Sequence, residues 1–130
     1  MKSKLSNTAF FATRLHAPLA SQYSWGTHVP SGVFLRVWQG DILTDNDGTE
    51  WANLDYIDLP AKKGPNGAER RRHCEAIIAG APAFGVVHRD YDSVRRYDGS
   101  TLLIFGNEWR DDSAVNGRYC RIIGRKSAPA

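Results

Sequence analysis

Residues 24–58, SWGTHVPSGVFLRVWQGDILTDNDGTEWANLDYID, carry the strongest structural signals in the chain and contain three of its four tryptophans. Residues 33–38 form the longest apolar run, and its β-branched and aromatic residues predict a central strand that is covered on both faces. Residues 45–48 predict a turn, and alternation of apolar and polar residues over 50–57 predicts a half-exposed returning strand. We therefore expect a long β-hairpin against which the rest of the chain packs.

The length and composition of the chain predict one globular domain. It has 130 residues, of which 42% are hydrophobic and 24% are charged, so it can bury a core without a structural metal or disulfides. No apolar stretch is long enough to cross a bilayer, and the N-terminus lacks a signal-peptide pattern. We expect a single domain over residues 1–130, no membrane partner and a cytoplasmic location.

One principal helix is predicted at about 68–79. Asn66 can cap its start, apolar residues recur at helical spacing, and Gly80 and Pro82 end it. The three arginines at 70–72 cannot all face the core, so at least two of them should project outward.

Short apolar runs predict further strands, and turn residues separate them. We expect these strands at 83–88, 101–105 and 118–123. An irregular N-terminal arm covers residues 1–23 and docks its aromatic pair, Phe10 and Phe11, on the core. Residues 124–130 are expected to form a flexible tail. The predicted class is α+β, with a curved, mostly antiparallel sheet or a small barrel.

No metal or cofactor is expected from the sequence. Cys74 and Cys120 lack the spacing of a zinc site, so we expect two buried free thiols. The acidic turn fails as a calcium loop, because aligning Gly48 with the loop glycine places Leu43 and Leu54 at ligand positions.

Charge is distributed unevenly along the chain. Residues 41–58 contain six acidic residues and no basic ones, whereas 62–126 contain thirteen lysines and arginines against eight acidic residues. We expect a polarised molecule with a basic face that could hold phosphates, or alternatively an ordinary solvated surface.

The leading functional hypothesis is a nucleic-acid-binding module. Arginines neutralise phosphates, aromatic rings stack on bases, and a polar group can read a base edge. The predicted phosphate contacts are Arg70, Arg71, Arg89, Arg95 and Arg96. The predicted stacking rings are Trp38, Trp51, Tyr91, Tyr97 and Trp109, with Trp25 as a further candidate, and the edge reader is Asp90 or Asn107.

A resemblance to a known family also favours nucleic-acid binding. The stretches GAPAFGVVHR at 80–89, RYDG at 96–99 and GRYCRII at 117–123 resemble the second half of SRA-type domains in the PUA-like group. That resemblance implies a small PUA-like barrel that holds a modified or flipped base. The first half of the chain lacks the family's glycine-rich acidic signature, so no base-pocket residue is carried over.

Two alternatives remain open. The first is a small hydrolase or nuclease-like enzyme in which His88 works with a nearby carboxylate such as Asp90, because a histidine with a carboxylate partner titrates near neutral pH. The second is a phage or mobile-element protein-interaction module whose acidic hairpin steers a basic partner.

Overall fold

The computed structural model of the protein describes residues 5–6, 9–20, 24–56, 65–88, 96–97, 101–112 and 117–127. The strands in this part of the chain are β1 (Leu5–Ser6), β2 (Gly26–Val29), β3 (Gly32–Trp38), β4 (Ile42–Thr44), β5 (Glu50–Tyr56), β6 (Ala83–His88), β7 (Arg96–Tyr97), β8 (Thr101–Asp112) and β9 (Gly117–Ser127). The helix α1 spans Pro65–Ile78. Shorter helical turns lie at Phe10–Arg14 and Gln39–Asp41.

Seven strands form one sheet in the order β2-β3-β6-β8-β9-β5-β4, and β1 pairs with β7 in a separate ribbon. Only the β3–β6 pair is parallel, and all other described pairs are antiparallel. The predicted α+β class and the mostly antiparallel sheet are therefore confirmed. The described sheet is open, with β2 and β4 as its edges, so the predicted barrel is not confirmed.

Strand β3 is the central strand that the sequence predicts. It lies between β2 and β6, and all seven of its residues are buried. The predicted long hairpin is wrong, because β6, β8 and β9 separate β3 from β5. A strand that is apolar on both faces needs cover on both, which an isolated hairpin cannot provide. Only the tip of the hairpin forms: β4 pairs with β5 through a turn in which Gly48 N donates to Asp45 O at 3.0 Å.

Alternate residues of β3 point to opposite sides of the sheet and enter two different cores. Leu35 packs in one cluster with Ile77 of α1. Phe34 packs in the other with Phe10 and Phe11 of the N-terminal arm. The predicted docking of the aromatic pair is confirmed, since both rings are buried. The arm is not wholly irregular, because it contains β1 and a helical turn.

The predicted helix is confirmed, and it begins at Pro65 rather than at residue 68. Proline suits the first turn of a helix, because its fixed φ is helical and its missing N–H has no partner there. Asn66 consequently lies inside the helix and not before it. Gly80 ends α1 at a φ of +112, and its N–H donates to the Ile77 carbonyl at 2.9 Å.

Strands β8 and β9 are longer than predicted. Ser127 pairs with Thr101, so residues 124–127 belong to β9 and the predicted flexible tail is wrong for them. Backbone hydrogen bonding with β8 holds this segment in an extended conformation, although its side chains are polar. Residues 128–130 lie outside the described residues.

Strand β5 is not half-exposed as predicted, because residues 51–55 are all buried, including Asn53 and Asp55. Asp55 can be buried because it has a partner on the neighbouring β9: the Arg118 guanidinium lies 3.4 Å from its carboxylate. A buried carboxylate requires such a partner, and the apolar–polar alternation of a strand does not reveal it.

A bulge connects the sheet to the helix. Residues 106–108 of β8 are inserted between two registered pairs that enclose only Arg121 on β9. The Asn107 amide donates to the Ile78 carbonyl at 3.1 Å, which ties the bulge to the last turn of α1.

Gly32 provides a test of this packing. A Cβ at this position would lie 2.7 Å from the Pro82 carbonyl oxygen, which also accepts a hydrogen bond from Val33 N at 2.8 Å, and φ is +145. We expect Gly32→Ala to lower the free energy of unfolding by about 2 kcal/mol in urea denaturation. Gly40→Ala is the matched control, because no atom lies within 4 Å of its Cβ. Equal losses in the two variants would contradict this account.

Candidate functional site

The predicted site residues separate into two groups. Trp38, Arg70 and His88 come together where β3 and β6 end, beside the first half of α1. Trp51 and Trp109 lie on β5 and β8, and each packs against an arginine of its own.

Four predicted residues, Arg89, Asp90, Tyr91 and Arg95, lie outside the described residues. Arg96 and Tyr97 are described as backbone only, and they form β7, which pairs with β1.

Two arginines and two tryptophans form the centre of the first group, which we call the Arg–Trp cluster: Trp25, Arg36, Trp38 and Arg70. The two indole rings meet edge to face at 6.3 Å. The Arg36 guanidinium lies 5.4 Å from the Trp38 ring centre, and that of Arg70 lies 5.9 Å from the Trp25 ring centre. Arginine over an aromatic face is a favourable electrostatic contact, and it strengthens when water is excluded.

Arg70 holds this cluster to the helix. Its side chain is fully buried, at 1% exposed, and it donates to the Arg36 carbonyl at 2.7 Å and to the Trp25 carbonyl at 3.5 Å. The backbone N–H of Arg36 also donates to the Trp25 carbonyl, at 2.7 Å. The prediction that Arg70 contacts phosphate is therefore wrong, since its guanidinium is committed to backbone carbonyls in the interior.

Arg36 is the site residue that sequence reasoning missed. It is buried and donates to the Ser24 carbonyl at 3.1 Å. Burial, and secondarily the charge of Arg70, lowers the pKa of Arg36 to about 10. The group remains protonated at neutral pH, so two positive charges lie side by side beneath the surface. A single arginine within the apolar run at 33–38 was the signal available in the sequence.

His88 is buried at 2% exposed, with its ring 6.2 Å from that of Trp38. The enzyme hypothesis required an accessible His88, and this position does not provide one. Among the described residues, no group of three or more histidine, cysteine or acidic side chains could hold a metal ion.

Arg71 and Arg72 lie on the exposed side of α1, which confirms the prediction that two of the three arginines project outward. Arg71 makes a long ion pair of 3.7 Å with Asp55, and 45% of its side chain is exposed. In the described part of the chain, no carboxylate lies within ion-pair distance of Arg72. These two guanidinium groups are therefore available to solvent on one helix face.

The second group of rings is closed by internal contacts. Arg110 lies 4.9 Å from the Trp51 ring centre and donates to Asp45, which also accepts from the Trp51 Nε1 at 2.9 Å. Trp51 is buried. Within the described residues, these contacts cover the Trp51 ring, so a base cannot stack on it.

Trp109 is closed in a similar way. Arg118 lies 5.5 Å from its ring centre, and its Nε1 donates to the Asn107 Oδ1 at 2.8 Å. Asn107 also donates to the end of α1, so the predicted base-edge reader uses both ends of its amide within the protein.

The predicted polarisation of the molecule is not observed among the described residues. Because β9 pairs with β5, the basic end of the chain lies beside the acidic segment. Glu50 pairs with Arg125 at 2.6 Å, Asp45 with Arg110 at 3.0 Å and Asp55 with Arg118 at 3.4 Å. Sheet order therefore neutralises much of the acidic segment.

Cys74 and Cys120 are free and buried, as predicted. Burial raises the pKa of Cys74 to about 11 and that of Cys120 to about 12. Both thiols therefore stay protonated at neutral pH, and neither is activated as a nucleophile.

Two open depressions flank the turn between β4 and β5. One, of about 510 Å³, is lined by residues 43–47. The other, of about 330 Å³, is lined by residues 47–50 and 121–125. Neither of these depressions includes a tryptophan.

No protein-family model matches the chain, and neither does any curated protein or solved structure. Within the described residues, no helix is both long and apolar enough to span a membrane.

Arg70 should be far more important for stability than its neighbours. Arg70→Met removes the side-chain donor to the buried Arg36 carbonyl, and we expect the free energy of unfolding to fall by about 3 kcal/mol. The exposed Arg72→Ala should change it by less than about 0.5 kcal/mol. Urea denaturation followed by tryptophan fluorescence measures both. An Arg70→Met variant as stable as the wild type would show that the carbonyl contacts are dispensable.

His73 of α1 should make stability depend on pH. It is buried, its Nδ1 has no hydrogen-bond partner among the described residues, and burial and then the charge of Arg70 lower its pKa to about 4. The unfolded chain takes up this proton near pH 6.5, so the free energy of unfolding should fall as pH drops from about 6.5 to about 4. We expect a loss of roughly 1 to 3 kcal/mol over that window.

Urea denaturation at several pH values measures this effect. His73→Gln should flatten the profile, whereas the exposed His16→Asn, a control compatible with the φ of +53 at that position, should retain the wild-type slope. A profile unchanged by His73→Gln would assign the acid sensitivity to other groups.

Proposed function

We propose that the protein binds nucleic acid through phosphate contacts that Arg71 and Arg72 make on the exposed face of α1. The observation that carries the proposal is the concentration of four arginines at one end of the sheet. Two of them, Arg36 and Arg70, are buried beneath the helix, and two are exposed on it. Arginine side chains bind the phosphates of nucleic acid favourably, because their binding releases the counterions that are condensed on the nucleic acid.

The buried arginines support the exposed ones electrostatically. Neither Arg36 nor Arg70 can reach a ligand, but their charges lie in a region from which water is largely excluded and are screened less than surface charges. Burial, and secondarily the charge of Arg70, lowers the pKa of Arg36, and the carboxylates of Asp41, Asp55 and Glu69 act on Arg70. A phosphate placed against Arg71 and Arg72 would experience the charges of the four arginines together with those of these carboxylates.

Further basic residues adjoin α1 and β6 in the sequence. Lys62 and Lys63 come shortly before α1, and Arg89 directly follows β6. These residues are candidates for additional phosphate contacts.

The proposal concerns the nucleic-acid backbone and not a base pocket. Trp38 and Trp51 are buried, and the ring of Trp109 packs against Arg118. Backbone contacts supply affinity without sequence information, so we propose binding with little sequence preference.

Fluorescence anisotropy with a labelled oligonucleotide, single-stranded and duplex, tests the proposal across a range of salt concentrations. We expect affinity to fall steeply with salt, and Arg71→Ala combined with Arg72→Ala to weaken binding about tenfold near physiological salt. Losing two phosphate contacts should also reduce the slope of log affinity against log salt by about 1.8 for duplex DNA.

Arg121→Ala combined with Arg125→Ala is the matched control. It changes the net charge by the same amount, but these arginines lie on β9 and already pair with Glu108 and Glu50. We expect a smaller loss of affinity from this pair. Equal losses in both double variants, or no measurable binding at low salt, would falsify the proposal.

A further inference from the structure

The outer edge of β4 is unpaired among the described strands. β4 is the last strand of the sheet, and its other edge pairs with β5. Asp45 N donates to Thr49 O at 2.8 Å, so Asp45 directs its backbone groups toward β5. Antiparallel pairing alternates residue by residue, and the backbone N–H and C=O groups of Ile42 and Thr44 therefore point away from β5. This edge can accept another strand.

The side chains along this edge do not carry the usual protection against strand pairing. Natural edges are blocked by proline, charged side chains, a covering segment or very short strands. β4 is short, but its three residues, isoleucine, leucine and threonine, include neither proline nor a charge. Ile42 and Leu43 are half-buried. Leu43 also lines the depression of about 510 Å³, which continues to Asp47 and offers space beside the edge for the side chains of an added strand.

The charge around the edge determines which strand would fit. Asp41 precedes β4, and Asp45, Asp47 and Glu50 follow it, with no basic residue between positions 39 and 56. Arg110 and Arg125 pair with Asp45 and Glu50. Asp47 is exposed, and Arg121, whose charge acts on it, pairs with Glu108. The surroundings of β4 are therefore negative on balance.

We propose that the β4 edge binds an extended, basic polypeptide segment of a partner protein by strand addition. Backbone hydrogen bonds to Ile42 and Thr44 supply the pairing, and lysine or arginine side chains of the partner lie against the acidic surroundings. A second copy of this chain fits less well. Symmetric antiparallel pairing centred on Leu43 would place Asp41 opposite Asp45, and like charges across a strand pair are destabilising.

The test uses a labelled short peptide of alternating lysine and valine and its counterpart of alternating glutamate and valine. We expect the basic peptide to bind in fluorescence anisotropy and the acidic one not to bind. Thr44→Pro removes an outward N–H without touching the bonds to β5, which is where edge strands tolerate proline. We expect it to weaken binding about tenfold, whereas Thr44→Val, which keeps the N–H, should stay within about twofold.

Three results would overturn the proposal. The first is equal binding of the basic and acidic peptides, or binding of neither. The second is an affinity for the basic peptide that Thr44→Pro leaves unchanged while circular dichroism shows the variant folded. The third is a dimer of the protein in sedimentation that Thr44→Pro dissociates, which would assign the edge to a second copy. None of these results depends on nucleic-acid binding at α1.

Discussion

One backbone carbonyl, that of Arg36, connects the sheet, the helix and the exposed arginines of this protein. This carbonyl is buried, and a buried carbonyl needs a hydrogen-bond donor because leaving it unpaired is costly. Arg70 of α1 supplies it at 2.7 Å. A helix turns about 100° per residue, and directing Arg70 inward therefore directs Arg71 and Arg72 outward. The exposed basic face is a geometric consequence of a buried hydrogen bond.

Local patterns predicted the individual elements well. The apolar run of β3, the glycine that ends α1 and the short run of β6 each depend on neighbouring residues, and each element was found where it was expected. Strand order was not predictable in this way. Whether β3 pairs with β5 or with β6 depends on which arrangement covers both faces of β3, and that is a property of the whole sheet. The same reason explains residues 124–127, whose polar side chains resemble a tail although their backbone pairs with β8.

The candidate site was also predictable only in part, because its residue types are local features and its arrangement depends on the whole fold. Composition indicated arginines and tryptophans, but it could not show that Arg70 and Trp38 are interior residues or that Arg36 joins them. The distribution of charge along the sequence was an equally incomplete guide to the charge of the surface. Acidic and basic segments that are distant in the chain become neighbours when β9 pairs with β5, and Arg125 then lies 2.6 Å from Glu50. Surface charge is therefore a product of topology as much as of composition.

The parallel pairing of β3 with β6 also affects how the chain folds. β8 and β9 are only four residues apart in the chain, whereas Val33 pairs with Ala83 although β4, β5 and α1 lie between them in the sequence. Closing a large loop has an entropic cost that is recovered only when the contact forms, so the β3–β6 pair should form after the local hairpins. Until then, a strand that is apolar on both faces remains exposed to other chains. The carboxylates at Asp41, Asp45 and Asp47, directly after β3, are placed to discourage aggregation during that interval.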